Sequence, residues 1–140
     1  MYGLPSHLKA LSAAEEQVLL AVWRCPPPVT SFKLAAALVE NRWANTTLLS
    51  FLSRLEQKGW LRHTRQDGCN VYHPTVTLRA YRVYTARERL HTVYDGSPAE
   101  LLAAVLSEEN FSGSQLEQAR AVLQEKIDAE AEYDWYDPYG

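Results

Sequence analysis

The sequence predicts a mainly α-helical protein that carries one small β-hairpin. Three observations lead there. Leu48, Phe51, Leu52 and Leu55 recur at i, i+3, i+4 and i+7, the spacing of one helical stripe. Ser-x-x-Glu pairs, the pattern of a capping box, stand at Ser12 with Glu15, Ser97 with Glu100 and Ser114 with Glu117, each opening an apolar-periodic stretch. Asp67-Gly68 separates two short extended stretches, residues 60–66 and 69–74, as a tight hairpin turn does.

From the N-terminus, residues up to Leu11 read as an irregular arm. Ser12 caps a first helix whose apolar stripe is Val18, Leu19, Val22 and Trp23. Pro26, Pro27 and Pro28 end it, because proline cannot continue a helix and restricts the residue before it. Val29 reads as a short extended contact. Thr30 or Ser31 caps a second helix with Phe32, Ala35, Leu38 and Val39 expected on its packed side. Residues 41–44 turn into the third helix, residues 45–58, which Gly59 terminates. At about 100° per residue, Thr46, Ser50 and Ser53 fall opposite the leucine stripe, with Thr47 and Arg54 on the flank. An amphipathic helix of this kind usually just packs one face and solvates the other. Here the outer face is built of small hydroxyls, which allow the close approach needed to read base edges in a major groove.

The hairpin that follows is basic, with Arg62, His63 and Arg65 on its first strand. Such charges can simply guard an exposed edge. Joined to the third helix they suit contact with phosphate. Three helices and then a basic hairpin is the order of a winged helix-turn-helix. Past it, a fourth helix with a mixed face runs from Thr77 to Tyr94, and Asp95-Gly96 breaks it. Pro98 opens a fifth helix with Leu101, Leu102, Val105 and Leu106. A last helix carries Leu116, Ala119, Val122, Leu123 and Ile127 on one face. Residues 133–140 form an acidic, aromatic tail in which Trp135 has no core to join and marks a candidate contact with a protein partner. The division expected is a winged-helix DNA-binding domain over residues 8–76, a helical dimerisation region over 77–130, and a flexible tail over 131–140.

A chain of 140 residues, 46% hydrophobic, can bury one core and a small appendage. No apolar run reaches the length of a membrane span, and the N-terminus lacks the pattern of an export signal, so a cytoplasmic protein with no membrane partner is expected. Cys25 and Cys69 lie far apart and join no ligand cluster, so they read as free thiols, with neither a disulfide nor a bound metal. The net charge of −3 is unevenly spread: ten Lys and Arg stand against five acids through Arg82, and four against twelve from Val83 onward. A basic first part attached to an acidic second part suits a module that meets phosphate joined to one that does not. Enzyme chemistry finds no support. The four histidines are scattered, and there is no glycine-rich phosphate loop and no HExxH run. No cofactor is expected. Cys69, beside the hairpin turn with arginines nearby, has the surroundings of a redox-sensitive thiol, although a tolerated free cysteine is the commoner case.

Taken together, Ser12-Ala-Ala-Glu15 with Val18-Leu19 and Val22-Trp23, then Trp43-Ala44, Thr46-Thr47-Leu48, Ser50, Leu52, Arg54-Leu55 and Lys58-Gly59, and finally Tyr72 and Pro74 at the hairpin end, resemble the penicillinase-repressor family of bacterial winged-helix regulators. That family takes in the β-lactamase, methicillin-resistance and copper-responsive repressors. The resemblance covers about residues 8–128, since Val93-Tyr94-Asp95-Gly96, Leu101-Leu102 and the last helix are similar to the family's C-terminal dimerisation arm. It implies a homodimeric repressor on a palindromic double-stranded operator, acting at the bacterial nucleoid. Thr46, Thr47 and Ser50 would contact bases. Asn45, Arg54, Arg62, His63 and Arg65 would contact the backbone, with bracing of the helix a second role for Arg54. Leu101, Leu102, Val105, Leu106, Leu116, Leu123 and Ile127 would form the dimer. A winged-helix module that binds proteins and has lost its operator is the alternative.

Two departures matter. Leu49 stands in mid-helix where family members often carry a basic residue, and the cysteine cluster of the copper-sensing branch is absent. In the β-lactam-responsive members the resemblance further implies cleavage of an Asn-Phe bond in the arm. The alignment brings that bond opposite Ala104-Val105, and the only Asn-Phe pair in this chain is Asn110-Phe111.

Overall fold

The computed structural model describes residues 4, 5, 7–108 and 110–135. In chain order come α1 (Ala13–Arg24), α2 (Ser31–Ala37), a 3₁₀ turn (Val39–Asn41), α3 (Asn45–Gln57), β1 (Leu61–Gln66), β2 (Cys69–Pro74), α4 (Leu78–Thr92), α5 (Pro98–Glu108) and α6 (Gly113–Trp135). This is the mainly helical, winged arrangement expected. The chain divides into two compact units, Met1–Val93 and Tyr94–Gly140.

The first unit is built on leucines and valines whose period matches their helices. Val18, Leu19 and Val22 of α1 meet Leu48, Leu52 and Leu55 of α3, and all six are buried. Ser12 and Glu15 form the reciprocal cap of α1: Ser12 N–H donates to Glu15 Oε1 at 2.8 Å, and Glu15 N–H donates to Ser12 Oγ at 3.2 Å. Thr30 caps α2 through the Lys33 N–H. On α2 the packed residue is Leu34, fully buried, while Phe32 and Val39 are exposed by 85% and 67%. The face expected for this helix was therefore wrong at both ends. Seven residues span less than two turns, and the chain leaves helical geometry before Val39 is reached.

β1 and β2 pair antiparallel with Gln66 opposite Cys69, leaving a two-residue turn. Asp67 and Gly68 both take positive φ, 51° and 80°, as the favoured hairpin turn requires. Val29 joins the hairpin's base: its carbonyl accepts from Tyr72 N–H at 2.8 Å. The N-terminal arm is tied down, since Trp60 Nε1 donates to the Lys9 carbonyl at 2.7 Å and Lys9 N–H to the Lys58 carbonyl at 3.1 Å.

The first compact unit extends beyond residue 76, because α4 delivers a core residue. Tyr81 is buried, with ring centroids 5.3 Å from Trp23 and 5.4 Å from Trp60. Its hydroxyl donates to Glu16 Oε2. Burial, the Glu16 bond and nearby carboxylates push the phenol well above its ordinary range.

In the second unit, Ser97 caps α5 through Glu100 N–H, but its own N–H donates to the Tyr94 carbonyl instead of closing a full box. The box that opens α6 is Ser112 with Gln115, not Ser114 with Glu117: Gln115 N–H donates to Ser112 Oγ at 3.1 Å, and Ser112 N–H to Gln115 Oε1 at 3.0 Å. Both pairs fit the pattern, and the helix starts one turn earlier than expected. α6 also continues through Trp135, so the stretch expected as a flexible tail from residue 131 is helical that far. The rest of the candidate partner contact lies outside the described residues.

Candidate nucleic-acid interface

α3 presents two opposite surfaces. Leu48, Leu52 and Leu55 anchor it in the core, which leaves Asn45, Thr46, Leu49, Ser50, Ser53 and Arg54 exposed on the other side. Thr47 is half-buried on the flank. Thr46 and Ser50, one turn apart, share the exposed face as their spacing requires. The side chains there are short, so the helix axis could lie close to a groove floor.

The start of α3 is open. Its N-cap is Ala44, which offers no side-chain acceptor, and no acid lies in the first turn. The first-turn amides and the positive end of the helix dipole are thus available to an anion. Asn45 stands at that end. Arg54 is turned along its own helix, with Cζ 5.7 Å from the Phe51 ring centroid. That is the bracing geometry. Trp43 packs on the other aromatic side of Phe51, at 4.9 Å between centroids, and so fixes the entry into α3.

The hairpin's basic residues do not form one cluster. Side chains alternate across a strand, so His63 and Arg65 share one face and Arg62 takes the other. His63 Nδ1 lies 2.6 Å from Glu56 Oε1, which fastens the hairpin to α3. Arg65 folds over the turn, donating to Asn70 Oδ1 at 3.1 Å and to the Gly68 carbonyl at 2.9 Å. Its remaining N–H donors are exposed. Arg62 is exposed and makes no hydrogen bond or ion pair among the described residues.

One residue pair that sequence reasoning did not find holds the helix in place. Glu15 is almost fully buried, and Lys58, at the end of α3, reaches it with Nζ 2.5 Å from Oε1. Burial alone would raise the Glu15 carboxyl, but the Lys58 ammonium and the Ser12 N–H outweigh it and hold the group below its ordinary range. The capping box located Glu15. Nothing local could have located its partner, which lies 43 positions away.

The second unit offers a different surface. Among its described residues none is buried, and Leu102, Val105, Leu106, Leu116, Leu123 and Ile127 are each exposed by 41–50%. Leu101 is half-buried. No group of three or more candidate metal ligands occurs among the described residues. No described helix is long and apolar enough to cross a membrane.

The family model described as penicillinase repressor matches residues 11–125, spanning both units. The chain belongs to the penicillinase-repressor family. It is a family of transcriptional repressors and not of enzymes. Among the curated relatives, the penicillinase repressor of Bacillus licheniformis is 24% identical over 115 residues, covering 82% of this chain and 90% of that protein. The methicillin resistance regulatory protein MecI of Staphylococcus aureus (strain N315) is 21% identical over 116 residues, covering 83% and 94%. A solved structure of an S. aureus MepR mutant bound to an oligodeoxyribonucleotide overlaps 85% of this chain and 79% of its own, at 16% identity and a TM-score of 0.49.

Proposed function

We propose that this penicillinase-repressor family member is a DNA-binding repressor that acts as a homodimer on a palindromic operator. The observation that carries the proposal is the α3 surface: a helix locked into the core on one side, with an uncapped, acid-free start and a face of small hydroxyls on the other. In this assignment Thr46, Thr47 and Ser50 contact bases. Asn45 and the open amides receive one phosphate, and Arg62 and Arg65 receive others. His63, paired with Glu56, contributes mainly by holding the hairpin against α3. Arg54 serves first as a brace. The exposed leucines of α5 and α6 support the dimer, because two short amphipathic helices with no buried residue need a second surface to cover them. Winged-helix domain 8–76, dimerisation region 77–130 and a site of action at the bacterial nucleoid belong to the same proposal.

The test is a binding titration on a pool of random or genomic duplexes at 50 and 200 mM salt. Contacts to six or more phosphates predict a loss of about a thousandfold in affinity across that range, because binding releases condensed counterions. A change of less than about threefold would place the chain with the protein-binding alternative. Within a selected site, Ser50→Ala should shift the preference among variants by about 1–3 kcal/mol at one base pair.

A further inference from the structure

Leu49 is the anomaly of the α3 surface. It is 47% exposed, and it sits among the hydroxyls of Thr46, Ser50 and Ser53 rather than on the buried stripe. A single exposed leucine needs no explanation by itself. This one has a location that does. In the middle of the exposed face it is the only side chain longer than a threonine. The amide and guanidinium groups that read guanine or adenine with two hydrogen bonds are confined to the ends and the flank of the helix: Asn45 at its start, Gln57 at its last residue, and Arg54 drawn over Phe51. The centre of the helix therefore cannot use the bidentate code. The one base feature that an aliphatic side chain recognises there is the C5-methyl of thymine.

We infer that Leu49 is a specificity-determining residue that packs on a thymine methyl at the centre of each half-site. The inference rests on the proposed DNA-binding function and deepens it. Thr46 and Ser50, one turn apart on either side of Leu49, bring the backbone close enough for its two methyls to reach the groove floor, and their hydroxyls are free to contact neighbouring base edges. Contact with the thymine would dehydrate both Leu49 and the methyl, so the gain is hydrophobic and nearly independent of salt. A basic residue at this position would instead favour guanine or phosphate. The chain would thus carry an operator preference of its own, centred on a T·A pair.

The experiment uses the full-length protein and a duplex selected by it from a random pool. Each thymine of the half-site is replaced singly by deoxyuridine, which removes one methyl and leaves base pairing intact. One thymine should be sensitive, with affinity falling about fourfold, the equivalent of burying a single methyl. The loss should be the same at low and high salt. Leu49→Ala should bind the unmodified duplex more weakly and be indifferent to deoxyuridine at that position, while Leu49→Met should keep most of the sensitivity. Because Leu49 packs into no core, the variants should unfold at the wild-type denaturant midpoint. The deoxyuridine series on wild-type protein decides the matter even if a variant fails to fold. If duplexes are selected but no thymine is sensitive, or if Leu49→Ala stays as sensitive as wild type, the assignment of Leu49 is overturned and the repressor function stands. If no duplex is selected at all, both fall together.

Discussion

Breaking the Glu15–Lys58 pair should be far costlier from one side than from the other. The two partners differ in exposure: the Glu15 side chain is 2% exposed and that of Lys58 30%. Glu15→Gln leaves an ammonium that water can reach, so the loss is one charge-assisted hydrogen bond and part of the α1 cap, about 1–2 kcal/mol. Lys58→Met strands a carboxylate in the core with little beyond the Ser12 N–H to hold its charge, and removal of one partner from such a pair costs about 3–5 kcal/mol. Urea unfolding at pH 7.5 measures both. The pH dependence supplies a second check. In the wild type the folded carboxyl is held below its ordinary value of 4.5, so its contribution is complete above that value and is lost as pH falls through the lower, folded one. In Lys58→Met, burial without the ammonium reverses the direction. The folded carboxyl then lies above its unfolded value, and its penalty grows as pH rises through it. The variant's deficit against wild type should therefore be smaller at pH 5 than at pH 7.5. Equal costs for the two substitutions, or a Lys58→Met deficit that is flat between those pH values, would refute this account of how α3 is anchored.

Three further outcomes are expected. Arg62→Ala and Arg65→Ala should each weaken all duplexes alike and lower the slope of log affinity on log salt by about 1; an unchanged slope would remove the hairpin from phosphate contact. Leu123→Glu, at a position 50% exposed in the single chain, should leave helix content intact and sediment as a monomer where the wild type sediments as a dimer; a dimeric variant would move the interface elsewhere. In cells exposed to a β-lactam, mass spectrometry should find no fragment ending at Ala104, because Ala104-Val105 lies inside α5 and carries neither amide nor aromatic ring, whereas Asn110-Phe111 lies in the irregular stretch before α6 and is the one bond where the family's cleavage could act.

What could be read from the sequence divides along a physical line. Periodicity over at least three turns was decisive, so the stripes of α1 and α3 and the hydroxyl face of α3 were legible. Local turn chemistry was equally plain in Asp67-Gly68 and in Ser12 with Glu15. Failures came where the signal was too short or lay elsewhere in the chain. On α2 the pattern could not separate Leu34 from Phe32. At α6 two overlapping capping patterns competed, and only the geometry of the chain entering the helix chose Ser112. Glu56 with His63 and Glu15 with Lys58 join different elements, so no window of sequence contains their cause. Tyr81 gave no warning that α4 belongs to the first unit, because its partners Trp23 and Trp60 are brought together only by the fold.

The contrast between the two units has a consequence for regulation under the proposed dimer. The first unit owns a complete core and can persist alone. The second has none among its described residues, and its internal pairs, such as Lys126 with Glu130 at 2.9 Å, are exposed i,i+4 contacts worth only a few tenths of a kcal/mol each. Its helices would then gain most of their stability on association, so that folding of the arm and dimerisation become one equilibrium. Operator affinity inherits that dependence. Two linked α3 helices bind with the advantage of a high effective concentration, and separated ones lose it without any change in the α3 surface. A signal that weakens the arm, whether by a cut near Asn110 or by a competing partner, would release DNA at the full distance of the chain from the bases being read. The arm, rather than the winged domain, is accordingly where an inducer of this protein should be sought.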